Sequence, residues 1–276
     1  MTTLAGKTLI MSGGSRGIGE AIALRAARDG ANIALLAKTT EPHPKLPGTI
    51  YTAAKAIEEA GGHALPIVGD VRDDEGVASA VAQAAAQFGG IDIVVNNASA
   101  IDLTPTESVS MKRYDLMQDI NARGSFLLAK TAIPHLRKSS NAHILTLSPP
   151  ISLDPKWFEA GHLAYSIAKY SMSLVTVGLA AELRKDGIAA NSLWPRTTID
   201  TAAIRNVVGA ELADRSRTPE IMADAAYVVL TKPSTESGNF YLDDEVLAAE
   251  GVTDFAKYRV GGTEEDLQLD FWVERA

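Results

Sequence analysis

Short apolar runs alternate along the chain with longer stretches of helical spacing. The runs predict strands at Thr8–Met11, Asn32–Leu36, Ala64–Val68, Ile91–Val95, His143–Leu147 and Ala189–Trp194, with a weaker seventh at Asn239–Leu242. Most are continuously apolar rather than alternating, which is how a strand covered on both faces of a parallel sheet reads. Between them, helical patterns occupy Gly19–Asp29, Tyr51–Ala60, Asp74–Phe88, Met111–Lys138, Leu163–Lys185 and Pro219–Leu230. Regular β-then-α alternation predicts an α/β fold: a doubly wound parallel sheet of Rossmann type, in three α/β/α layers. One insert, Thr39–Gly48, carries three prolines. It reads as an ordered loop, because a domain boundary there would leave a fragment too small to fold.

Composition narrows the class. At 276 residues the chain suits one large domain, 1–276. It has no cysteine, so no disulfide, thiolate nucleophile or Cys-ligated metal is available. Its five His show no metal-ligand spacing, so no metal site is expected. A net charge of −8 without a basic block makes it a poor partner for nucleic acid or an anionic membrane. The apolar run near the start is too short for a secretory signal, and no uninterrupted apolar stretch of about 20 residues suggests a membrane span. The final Glu274-Arg275-Ala276 is not a peroxisomal tripeptide. The expectation is a cytoplasmic protein.

The first strand runs directly into Ser12-Gly13-Gly14-Ser15-Arg16-Gly17-Ile18-Gly19, and a helix follows. A dinucleotide pyrophosphate needs a tight turn, close backbone approach and free N–H groups at a helix start. Gly13, Gly17 and Gly19 answer the first two needs, with Ser15, Arg16 and Ile18 between them. A plain strand-to-helix loop is the alternative. The second strand ends Leu36-Ala37-Lys38-Thr39, with a cation where an NAD site usually carries an acid on the ribose 2′-hydroxyl. Lys38 and Arg16 therefore point to NADP(H) over NAD(H), against the alternative that both are solvated surface charges. Asp70, with Val71 beside it, is placed to meet the adenine, or else to cap the helix after it. Asn97 and Ala98, after the fourth strand, let a ribose approach, or form an ordinary turn.

Tyr165-Ser166-Ile167-Ala168-Lys169 puts a phenol and an ammonium on one helix face. A neighbouring ammonium favours phenolate and lowers a pKa that is otherwise about 10. Tyr165 then becomes a proton-transfer group for a carbonyl/alcohol pair. Lys169 also reaches the nicotinamide ribose, and Ser148 holds the substrate oxygen. Asn121 lies inside a long helix, where its side chain or a distorted backbone can hold a relay water. A Tyr–Lys pair alone is ordinary surface packing; the glycine loop and Ser148 upstream change the odds.

These residues together resemble the short-chain dehydrogenase/reductase superfamily. SGGSRGIG (12–19) is similar to its cofactor loop and NNAS (96–99) to its N-N-A-G. Asn121, Ser148, Tyr165 and Lys169 fall at its catalytic tetrad, and Pro195, with Thr198 and Ile199 behind it, at its carboxamide-binding loop. A narrower resemblance, to the hydroxysteroid dehydrogenase-like protein 2 family, rests on AKTTEPHPKLPGTIYTAA (37–54), NNASAI (96–101), HILTLSPP (143–150), YSIAKY (165–170) and LWPRTTIDTAA (193–203). Members of that family often carry a C-terminal sterol-carrier-like domain, for which 276 residues leave no room. Ser99 and Arg196 replace usual glycines, and Pro149 and Pro150 follow Ser148 directly. Arg196 then pairs with an acidic substrate or the cofactor phosphates, or forms a surface salt bridge.

The resemblance implies a nicotinamide-dependent oxidoreductase acting on a carbonyl or secondary alcohol. The cofactor half is about 1–150, substrate loops are mainly 151–163 and 196–218, and 243–276 is an extension. Trp157, Phe158, Trp194 and Leu212 either line a pocket for a lipid-like substrate or pack the core. The small-residue helix 163–185 suggests a homodimer or homotetramer, or packing on the chain's own sheet. A non-catalytic NADP-binding sensor or scaffold, and a lyase or epimerase using hydride transfer transiently, are the rival readings.

Overall fold

The computed structural model describes residues 3–42, 46–207 and 209–275; residues 43–45 of the proline-rich insert and residue 208 of the second substrate loop lie outside the described residues. The strands are β1 (Thr8–Ser12), β2 (Asn32–Ala37), β3 (His63–Val68), β4 (Ile93–Asn96), β5 (Ala142–Thr146), β6 (Ile188–Trp194) and β7 (Phe240–Leu242). The helices are α1 (Gly17–Ala27), α2 (Ile50–Glu59), α3 (Asp74–Phe88), α4 (Met111–Met117), α5 (Gly124–Leu136), α6 (Leu163–Glu182), α7 (Ala202–Val207), α8 (Glu220–Thr231) and α9 (Asp243–Ala249). Among the described residues seven strands pair in parallel, in the order β3-β2-β1-β4-β5-β6-β7. The chain winds outward from β1 to β3, then returns across β1 to build the other half. The reversal between β1 and β4 opens a crevice at their carboxyl ends, where open α/β sheets bind ligands.

The strands form because their runs are apolar on both faces: every residue of β1, β4, β5 and β6 is buried. One apolar cluster fills each face of the sheet. Local signals set several helix ends. Asp73 caps α3 by accepting from the Glu75 N–H, and Gly89, at φ 82°, ends it in the left-handed region that glycine tolerates. Thr49 and Thr52 cap α2 reciprocally and so fix the exit of the proline-rich insert.

The structure divides the predicted helix Met111–Lys138. Residues Gln118–Arg123 form a π-helical segment between α4 and α5, with Asn121 inside it. Two short helices, α7 and α9, were not foreseen; at six and seven residues they are too brief to show periodicity. The helix α6 is long and apolar enough to cross a membrane by length and composition alone, and 61% of that window is buried within the fold.

The last residues are more than an extension. Gln268 to Val273 run back along the loop after β6 as a strap. The Thr198 N–H donates to the Gln268 carbonyl (2.9 Å), the Asp270 N–H to the Arg196 carbonyl (3.0 Å), and the Trp194 Nε1–H to the Phe271 carbonyl (3.0 Å). Trp272 adopts φ 61°, a conformation that disfavours a bulky side chain. It packs into a third apolar cluster with Tyr165, Tyr170 and Trp194.

Candidate active site

A cavity of about 450 Å³ opens at the carboxyl end of the sheet. Its first wall is backbone. Gly13, Gly14 and Gly17 take positive φ angles of 79°, 91° and 61°. The Gly13 N–H donates to the Leu36 carbonyl at 2.8 Å, tying the loop to β2. Asn97 fixes it from the other side: its Nδ2 donates to the Ser12 carbonyl (3.1 Å), while the Ser12 hydroxyl accepts from the Asn97 and Ala98 N–H groups (3.2 and 3.1 Å). A Cβ on Gly13 would stand 2.6 Å from Asn97 Nδ2, and one on Gly19 only 2.5 Å. Glycine is therefore needed at both positions. The helix α1 starts at Gly17 with no side chain capping its first N–H groups. A close backbone turn at an uncapped helix start fits a dinucleotide pyrophosphate.

Gly13, Ser15, Arg16, Gly17, Ile18, Lys38, Asp70, Val71, Asn97, Ala98, Tyr165, Lys169, Pro195 and Ile199 line the cavity. Gly19 does not; it supports the loop from behind against Asn97 and Gly14. Thr198 also lies off the wall: its N–H is spent on Gln268 and its hydroxyl bonds Ser216 at 2.8 Å.

Where the second strand ends, the charges are already engaged. Lys38 pairs with Asp70 at 3.3 Å, and Arg72 clasps the same carboxylate at 2.6 Å. The Arg72 hydrogen bonds, helped by Lys38, hold Asp70 well below the usual carboxylate range despite partial burial. Arg16 Nε and Nη2 donate to the Pro47 and Gly48 carbonyls (3.1 and 2.9 Å), so it anchors the insert. The capping alternative for Asp70 fails, since Asp73 caps α3.

At the other end, Tyr165 and Lys169 stand on the wall, and Ser148 does not. The Ser148 hydroxyl is buried at 2.8 Å from Ser192 Oγ, which in turn donates to Thr176 Oγ1 at 2.8 Å. Pro149 follows and offers no hydroxyl. Instead, Ser99 lines the cavity, with its hydroxyl near enough to the Tyr165 phenol to favour the phenolate. Asn121 is also off the wall. Its side chain accepts from the Ala100 N–H (2.7 Å) and donates to the Ala100 carbonyl (2.9 Å), so the π-helical segment holds the stretch that carries Ser99 and Ile101. No signal in the sequence marks Ser99 except its departure from glycine.

The electrostatics of the phenol run opposite to the expectation from Tyr–Lys spacing. Burial pushes Tyr165 above its ordinary value, the Asp270 carboxylate adds to this, and the nearby Ser99 hydroxyl pulls back. Burial lowers Lys169 and raises Asp270, each toward about 7, while the attraction between them opposes both shifts. The Lys169 Nζ donates to the Leu147 carbonyl at 2.7 Å and lies over the Trp194 ring.

Apolar residues close this end: Ile101, Ile120, Trp194, Ile204 and Phe271. Of the aromatic and aliphatic groups expected here, Trp194 is present, while Trp157, Phe158 and Leu212 are absent from the lining; Phe158 packs edge-on against Tyr170. Asp270 and Phe271, from the strap, take that place. An acid followed by two aromatics, in a chain with 6% aromatic residues, was the available signal. Arg196 faces neither substrate nor phosphate. It is buried, pairs with Asp244 at 2.5 Å and with Glu245, and donates to the Glu274 carbonyl at 2.7 Å, clamping α9 to the strap.

With this geometry in place, comparison with known proteins is informative. The model of the short chain dehydrogenase family matches residues 7–211. Hydroxysteroid dehydrogenase-like protein 2 of Danio rerio is 56% identical over 257 residues, covering 93% of this chain and 61% of its own length. Its Xenopus tropicalis counterpart is 56% identical over 273 residues, covering 99% and 65%. The chain thus spans less than two thirds of these relatives. A crystal structure of a short chain dehydrogenase from Mycobacterium thermoresistibile, 58% identical, superposes with a TM-score of 0.93 over 99% of this chain and 96% of that one.

Proposed function

The chain belongs to the short-chain dehydrogenase family, and from that premise we propose that it interconverts a carbonyl group and a secondary alcohol with a nicotinamide cofactor. The observation that carries the reading is one cavity with a glycine cradle at an uncapped helix start at one end and Tyr165 with Lys169 on its wall at the other. The bound nicotinamide supplies or takes up the hydride. Gly13, Ser15, Gly17 and Ile18 would hold its pyrophosphate, and Pro195 and Ile199 would flank the carboxamide.

Tyr165 holds the proton that the substrate oxygen gains in reduction and gives up in oxidation. Its raised proton affinity suits the donor role at neutral pH. Ser99, not Ser148, is the hydroxyl that shares the substrate oxygen with the phenol. Lys169 orients the ribose end of the cofactor, and Asn121 acts through Ala100 to hold Ser99 in place.

The cofactor preference is for NADP(H). Supporting it, β2 is followed by Lys38 rather than an acid, and Arg16 lies on the same wall. The substrate is apolar and lipid-like around its carbonyl, in keeping with Ile101, Ile120, Trp194 and Phe271. Homo-oligomer formation is supported by Leu163, Ile167, Leu174 and Val177, which leave an apolar row exposed on α6.

The test is NADPH oxidation at 340 nm with a panel of carbonyl compounds. The expected result is turnover by wild type and a loss of about 10²–10⁴-fold in Tyr165→Phe. Equal rates would overturn the mechanism, and NADPH binding without turnover would favour a sensor or scaffold. In the same assay, wild type should favour NADPH over NADH, and Lys38→Asp should erode that ratio about tenfold; an NADH preference in wild type refutes the cofactor assignment.

A further inference from the structure

The strap carries an acid into the cavity that the glycine cradle, Tyr165 and Lys169 do not account for. One Asp270 carboxylate oxygen accepts from the Phe271 N–H at 2.7 Å, and the other has no hydrogen bond or ion pair among the described residues. The side chain lines the cavity. Lys169 is near enough to feel its charge, yet Nζ donates to the Leu147 carbonyl and the Met172 sulfur, and no ion pair joins it to Asp270 among the described residues. The two charges therefore share one cavity without pairing. A desolvated carboxylate with open lone pairs is costly until a donor reaches it.

The strap leaves Asp270 little freedom to turn away. Its own N–H is bonded to the Arg196 carbonyl, and the Phe271 carbonyl accepts from Trp194. The Phe271 ring lies 4.5 Å from the His162 ring and 6.2 Å from that of Tyr165; the Trp272 ring lies 5.7 Å from that of Tyr165. Arg196 clamps the end of the strap to α9. A side chain with a free acceptor, held this firmly in a cavity, is a binding group.

We propose that Asp270 is a specificity-determining residue: its open oxygen accepts a hydrogen bond from a hydroxyl of the bound ligand, and its charge turns away ligands that bring a carboxylate to that end of the cavity. The hydroxyl belongs either to a ribose of the dinucleotide or to the substrate beside its reacting carbonyl. The inference takes its ligands from the oxidoreductase reading above.

The experiment compares wild type with Asp270→Leu and Asp270→Asn. NADPH affinity is read by tryptophan fluorescence, which needs no turnover. KM and kcat are read on matched carbonyl compounds that are plain, hydroxyl-bearing or carboxylate-bearing. Asp270→Leu should weaken, by about tenfold, either NADPH binding or the KM for the hydroxyl-bearing compound. A change in NADPH affinity assigns the hydroxyl to the ribose; a change in KM alone assigns it to the substrate. Asp270→Asn keeps an acceptor and loses the charge, so it should retain most of that affinity and raise kcat/KM for the carboxylate-bearing compound about tenfold. If Asp270→Leu melts early, this Asn arm decides. No change beyond about twofold in any of these constants overturns the proposal. Absence of carbonyl turnover in wild type would sink the oxidoreductase reading instead, and the NADPH-binding arm would still test Asp270.

Discussion

The two ends of the cavity are built in opposite ways. At the glycine end the wall is backbone: Gly13, Gly14 and Gly17 in left-handed conformations, pinned by Asn97, with the nearby charges paired at the surface. At the strap end the wall is side chain, and charge is withdrawn from solvent: Asp270 and the buried Lys169 line the cavity, and Arg196, Arg217 and Asp243 are buried as well. Backbone cradles recognise what nearly all ligands of a fold share, such as a phosphate bridge. Side-chain walls recognise what differs. On the proposed reading, the difference gives the pyrophosphate of the cofactor to one end and discrimination among ligands to the other.

The sharpest break of this comparison is Gly19→Val. Its Cβ would meet Asn97 Nδ2 at 2.5 Å and the Gly14 Cα at 2.8 Å, and neither can move without moving the loop. Overpacking of this kind costs about 3 kcal/mol, equivalent to roughly a hundredfold in affinity. Titration with NADPH should show that loss, with the strap end intact by near-ultraviolet circular dichroism. Unchanged affinity would mean that the glycine end is not the cradle.

A smaller effect separates the two serines. Ser99→Ala should lower kcat about tenfold, because the cavity wall beside the phenol loses the hydroxyl proposed to share the substrate oxygen. Ser148→Ala should leave kcat within about twofold and lower the melting temperature by a few degrees, because one link of the buried Ser148–Ser192–Thr176 chain is cut. The reverse pattern would restore Ser148 to the site.

What could be read from the sequence follows the same division. The seven strands and the glycine turn were legible because each is a local constraint: continuous apolar runs and obligatory glycines leave marks within ten residues. The π-helical break was half legible, as an asparagine in an uncomfortable place. Ser148 misled because its position after β5 says nothing about which way the hydroxyl turns; Ser192 and Thr176, distant in sequence, decide that. The direction of the Tyr165 shift was hidden in the same way, since burial and Asp270 raise it whatever the Tyr–Lys spacing. The strap was illegible because its bonds are to the β6 loop, some 70 residues upstream, and it has no period of its own.

The gentlest test is pH, because the two ends should respond with opposite sign. At the start of α9, Asp243 is fully buried: one oxygen accepts from the Arg196 and Asp244 N–H groups, and the other has no hydrogen-bond partner among the described residues. Burial pushes its carboxyl up to about 7, against the pull of those hydrogen bonds and of Arg217. An acid whose folded value exceeds its unfolded value near 4 costs stability as pH rises past 4, and costs it fully above 7. That penalty is on the order of 2–4 kcal/mol, so Asp243→Asn should gain roughly 5 °C relative to wild type between pH 4 and pH 8. Asp70, at the glycine end, is depressed by Arg72 and Lys38. Its contribution is present above pH 4 and lost as pH falls, so Asp70→Asn should cost stability at pH 7 and converge with wild type in acid. That cost is slight, since the pair is mostly solvated. Melting curves of the three proteins from pH 3 to pH 8 measure both slopes, and slopes of the same sign would erase the distinction between an end whose charges are paired near the surface and an end whose charge is buried.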